Sequence, residues 1–73
     1  MERRYKALLV RPMHRAVYLH FVADSRELAH DHAQTVARDV GWLVGKVTRD
    51  DAETPLSDMG AFTDALTGQA VTL

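Results

Sequence analysis

The alternation of apolar and polar side chains along this sequence changes period from two to three-to-four and back, and each change marks an element. Residues 4–10 read as a strand whose stretch Ala7-Leu8-Leu9-Val10 is apolar on both alternating faces, the signature of a central strand. Arg11-Pro12-Met13-His14 closes it, because Pro12 fixes φ and has no N–H to give a ladder. Residues 15–23 alternate more cleanly. Val17, Leu19, Phe21 and Ala23 point one way, and Ala16, Tyr18, His20 and Val22 the other. The short connection predicts a hairpin.

Asp24-Ser25-Arg26-Glu27 opens a helix, with Asp24 as N-cap and the Glu27 carboxylate reaching back to it as in a capping box. Leu28, Ala29, His32, Ala33, Val36, Ala37 and Val40 follow at helical spacing and cover an arc of about 180°. Gly41 supplies the residue that ends the helix. Residues 42–49 return to strand character with Trp42, Leu43, Val44 and Val47, and Gly45 among them marks a bulge or a close backbone approach. An acidic loop follows. Pro55 then starts a short second helix with Leu56, Met59, Phe62, Thr63 and Leu66 on one side. Gly68 ends that helix and leaves residues 69–73 as a tail or a short edge strand.

The expected architecture is α+β in the order β-β-α-β-α. It is a three-stranded antiparallel sheet, in the order 2-1-3, with one long helix packed on a face and a short C-terminal helix. Residues 1–73 form a single small domain, in which 4–50 supply the β-β-α-β core and 51–73 the acidic loop, helix and tail. A chain near this length buries only about 60% of its unfolded surface, so the core is small. There is no Cys, hence no disulfide or thiolate metal site to reinforce it, which agrees with a cytoplasmic location. The apolar run 7–10 is far too short for a membrane span, and no membrane partner is expected.

Charge changes this picture from a bare scaffold to a polarised one. Residues 1–23 carry Arg3, Arg4, Lys6, Arg11 and Arg15 against Glu2, a net +4, and residues 24–49 balance. Residues 50–73 hold Asp50, Asp51, Glu53, Asp58 and Asp64 with no Lys or Arg, a net −5. Segregation of this kind marks partner-binding surfaces, or a segment that covers one.

Candidate chemistry is thin. His30 and His32 diverge by about 200° on a helix and cannot share a metal ion, and no helical His has a ligand at i+4. His32 falls in the apolar arc and is expected as a partly buried core residue. Ser25 and Ser57 sit at helix starts and read as caps, not nucleophiles. No phosphate-cradling glycine run or nucleophile elbow occurs. No catalytic residue, metal or cofactor is therefore assigned, and the chain is expected not to be an enzyme.

Binding is the better reading. With the helix over Val17, Leu19 and Phe21, the opposite face displays Tyr18 and His20 beside Arg4, Lys6, Arg11, Arg15 and Lys46, the set single-stranded nucleic acid uses for stacking and phosphate neutralisation. The competing arrangement has the second helix covering that face. Asp50, Asp51, Glu53 and Asp58 form a second, acidic candidate contact set. A second copy of the chain is a further candidate partner.

The layout also resembles small accessory proteins of phages and other mobile elements, anti-CRISPR proteins among them. The resemblance is one of architecture: a short hairpin (5–10 and 16–23), a capped Ala-rich helix (25–40) and a strand (42–48). It implies stoichiometric inhibition of a host protein or protein–nucleic acid complex through charged surface residues. The alternative is a small nucleic-acid-binding or transcription-regulatory protein that uses its basic N-terminal hairpin.

Overall fold

The computed structural model describes residues 2–50 and 60–73. Its elements are β1 (Arg3–Val10), β2 (Val17–Ala23), α1 (Arg26–Val40), β3 (Leu43–Arg49), β4 (Phe62–Asp64) and β5 (Ala70–Val71). They form one sheet in the order β3-β1-β2-β4-β5 with antiparallel neighbours throughout. The doubly apolar β1 lies between β3 and β2, as its sequence requires.

The sheet has five strands and not three, and this corrects the expected fold. The residues placed on the near side of a second helix divide otherwise. Leu56 and Met59 lie outside the described residues, Phe62 and Thr63 are in β4, and Leu66 is in the turn after it. The physical reason is local. Gly60 and Gly68 both hold positive φ, at 88° and 75°, so a helix between them would have under two turns, too few to nucleate without strong packing. Asp64 then captures the backbone that such a helix needs. Its Oδ1 accepts from the N–H of Leu66 (2.8 Å) and of Thr67 (3.1 Å), an Asx-type turn that leads into β5.

One face of the sheet makes the core. The register pairs Tyr5 with Phe21, Ala7 with Leu19 and Leu9 with Val17, all buried, and Val47 lies beside Ala7. α1 lays Ala29, Ala33 and Ala37 on this surface, each at most 1% exposed, so its backbone comes close to the strands. The apolar arc is narrower than its sequence suggests. Leu28 and His32 are exposed at its margin, though the His32 ring packs 4.9 Å from that of Phe21.

Both helix ends follow sequence chemistry, with one shift. Ser25, and not Asp24, is the N-cap, its Oγ accepting from the N–H of Leu28 at 3.2 Å. Gly41 adopts φ 78°, and the Trp42 N–H donates to the Ala37 carbonyl at 2.8 Å, a Schellman-type end that buries Trp42 against the core. In β3, Gly45 is the extra residue of a bulge, since Lys46 pairs with Leu8 and Val44 with Leu9.

Candidate functional site

The face of the sheet turned away from α1 is built by parity. Residues of even number along β1 and β2 point to it, and the register sets them in rows. Lys46, Leu8, Tyr18 and Thr63 make one row, and Thr48, Lys6 and His20 the next. Arg4 and Val22 follow, and at the other end Val10 pairs with Leu43. The Lys6 Nζ stands 4.8 Å from the centroid of the Tyr18 ring, a cation–π contact.

At the β4 side this face turns from cationic to a closed polar chain. His20 Nδ1 is 2.8 Å from Asp50 Oδ2, and its Nε2 is 2.8 Å from Thr63 Oγ1. With neutral His20 as the Nδ1–H tautomer, the ring donates to the carboxylate and accepts from the Thr63 hydroxyl. The Asp50 side chain is 1% exposed and that of His20 11%. Backbone bonds anchor the same spot: the Asp50 N–H donates to the Arg4 carbonyl, and the His20 N–H to that of Ala61. The chain ties β2 to the end of β3 and to β4.

This placement revises two expected contact residues. His20 lies on the predicted face but is buried in the polar chain. Asp50, expected in an acidic contact set, is buried too, while Asp51, Glu53 and Asp58 lie outside the described residues. Of the basic set, Arg4, Lys6, Tyr18 and Lys46 do share the face. Arg11 is in the exposed β1–β2 turn, and Arg15 Nε pairs with Asp64 Oδ2 at 3.2 Å. The N–H of Leu66 is the largest influence and holds the Asp64 carboxyl below its ordinary value near 3.8; desolvation opposes it, and the Thr67 N–H and the Arg15 charge add lesser lowering effects.

Thr63 and Asp64 are contact partners of His20 and Arg15 that periodicity missed. Thr63 read as one side of a helix, and only its pairing with Tyr18 brings it to His20. The signal for Asp50 was parity. It continues Lys46 and Thr48 on one face, one residue beyond the end of β3.

Two other features frame the site. The β1–β2 turn carries Met13 fully exposed at φ 65°, and where β1 enters that turn Val10 pairs with Leu43, which is 67% exposed. A hollow of about 260 Å³ by the start of α1 is lined by Glu2, Val22, Ala23, Asp24, Leu28 and His32. Among the described residues no group of three or more His, Asp or Glu is placed to hold a metal ion, and no helix is long and apolar enough to cross a membrane. Comparison with protein-family models, with curated proteins and with solved structures finds no match.

Proposed function

We propose that this chain works by stoichiometric association and not by turnover, with the sheet face opposite α1 as its contact surface. Its partner presents phosphates, as a nucleic acid or a nucleoprotein complex does. The observation that carries this reading is the cluster of Arg4, Lys6 and Lys46 around Tyr18 and Leu8 on one face. Cations interleaved with an aromatic ring and an apolar side chain suit a partner that is both charged and stackable. Affinity capture from an extract of the cells that carry the protein tests it. Material retained by the parent chain and lost with Lys6→Glu/Lys46→Glu is the expected result. Retention that ignores the charge reversal removes this face as the contact surface.

The Asp50–His20–Thr63 chain has the connectivity by which an imidazole activates a hydroxyl. We read it as a structural tie, because it joins three strands and its carboxylate is buried. Incubation with p-nitrophenyl acetate is expected to give no burst of nitrophenol. A stoichiometric burst abolished by Thr63→Ala would overturn the non-catalytic reading.

A second reading, an inhibitor of the mobile-element type that docks on a host protein, is favoured by one feature. Met13 holds a left-handed backbone that costs a non-glycine residue on the order of 1 kcal/mol, and it does so with its side chain wholly in solvent, in the turn that follows Val10, the partner of exposed Leu43. An apolar tip of this sort is a protein-contact element. Under this reading Met13→Ser/Leu43→Ser abolishes capture while Lys6→Glu/Lys46→Glu spares it.

A further inference from the structure

We infer that the face opposite α1 is a platform for single-stranded nucleic acid, in which one base stacks on Tyr18 while Lys6, Lys46 and Arg4 neutralise the flanking phosphates. This rests on the binding reading above and deepens it by naming the partner.

Three observations carry it. The first is spacing. Lys46, Leu8 and Tyr18 are consecutive cross-strand neighbours, so Lys46 and Tyr18 stand on backbones about 10 Å apart, with Leu8 as an apolar floor between them. Arg4 lies two residues from Lys6 along β1, about 7 Å, so the cations continue along the strand and give a backbone a track. The second is the state of the ring. Lys6 Nζ already sits over the Tyr18 ring at 4.8 Å, a position that an incoming base takes while the ammonium moves aside to a phosphate. The third is charge. The three cations Arg4, Lys6 and Lys46 outnumber the carboxylate described on this face, Asp50, which is buried against His20, so its described surface is net positive.

Shape selects the strand class. A duplex groove admits a helix or a two-stranded ribbon, whereas here a five-stranded sheet presents its broad side and α1 packs behind it. Only an unpaired base offers its flat face to Tyr18. Stacking of this kind tolerates every base, so little sequence preference is expected.

Fluorescence anisotropy on the full chain tests the proposal, with labelled oligothymidine and oligouridine of about fifteen nucleotides and a duplex of equal length. Both single strands are expected to bind more tightly than the duplex. Tyr18→Ala is expected to weaken binding by about tenfold or more and Tyr18→Phe to preserve it. Lys6→Gln and Lys46→Gln are each expected to lower the slope of log affinity against log salt by about 0.7. Circular dichroism of every variant separates these effects from loss of fold.

Equal affinity for duplex and single strand, or no effect of Tyr18→Ala, overturns the single-strand platform. Phosphate contact, and with it the binding reading, survives either result if the Lys6 and Lys46 variants still lose affinity. No binding of any oligonucleotide at about 50 mM salt also overturns the platform. In that case the capture experiment with the charge-reversed chain still decides the binding reading, through a protein or nucleoprotein partner.

Discussion

His20 is the hub of the buried polar chain that joins β2, β4 and the end of β3. Both ring nitrogens are engaged at 2.8 Å, one by a buried carboxylate and one by a hydroxyl from a strand 43 residues away. Replacing it by alanine removes a charge-assisted bond and a neutral one from a buried place. His20→Ala is therefore expected to lower unfolding free energy by about 2–3 kcal/mol, and Thr63→Val by about 1 kcal/mol. The double variant should lose less than the two effects added, since both act on one network, and urea titration of all four proteins measures this coupling. Asp64 gives the pH dependence. Folding lowers its pKa, so its contribution is fully present above about 3.8 and is lost as pH falls through the lower folded value. Asp64→Asn keeps an oxygen for the Leu66 and Thr67 N–H groups but loses the charge that faces Arg15. The stability gap between parent and variant should close as denaturation is measured from pH 6 down to pH 3. A gap unchanged over that range would show that the charge contributes nothing. Of these side chains, only the face of His20 was legible from alternation. Its partners were hidden because Asp50 reads as one more acid in an acidic run, and Thr63 comes to it only through a pairing that periodicity does not encode.

At the scale of elements, local chemistry and packing agree over the first 49 residues, and there the sequence is readable. The switch from period two to helical spacing at Ser25 and back after Gly41 places β2, α1 and β3 to within a residue or two of where they lie. A glycine inside a strand pattern leaves a bulge or a close backbone approach open at Gly45, and the register shift shows the bulge. The cap shifts by one position because Asp24 and Ser25 are both good capping residues, and only the extended backbone of Ser25 (φ −149°, ψ 165°) decides between them. Ser25→Ala should cost about 1 kcal/mol, and Gly41→Ala a similar amount, since its φ of 78° strains any Cβ. Ala33→Leu is a sharper probe of the packing. With Ala33 fully buried under the helix, added bulk should push α1 off the sheet and cost about 1–3 kcal/mol, read from thermal or urea unfolding. The C-terminal strands were not legible for a definite reason. Seven residues between two glycines carry too little periodicity to separate a two-turn helix from a hairpin, and the choice is made by the Asp64 side chain and by the open side of β2.

The whole molecule is a sheet with unequal edges. β5 is two residues long, which blunts that side, while β3 offers seven residues with no partner on their outer side among those described. Lys46, Arg49 and the bulge at Gly45 guard it, since charge and a kink both discourage strand addition. Lys46→Val/Arg49→Val is expected to raise self-association, seen as an increase in mass by light scattering at fixed concentration. If the parent is already dimeric and the variant unchanged, the guarding role is wrong.

The place of β1 in this sheet has a consequence for the order in which the fold is completed. β1 leaves the ribosome ahead of the other described strands, yet its two neighbours arrive at very different times. β2 follows within a few residues, whereas β3 ends at Arg49 and comes only after the whole of α1. During synthesis the nascent hairpin, complete at Ala23, thus carries one side of its most apolar strand unpaired until β3 is finished at Arg49, and that side is an aggregation-prone edge for as long as this translation takes. Slowing translation after the first helix should lengthen this exposure, and rapid completion of β3 is what ends it.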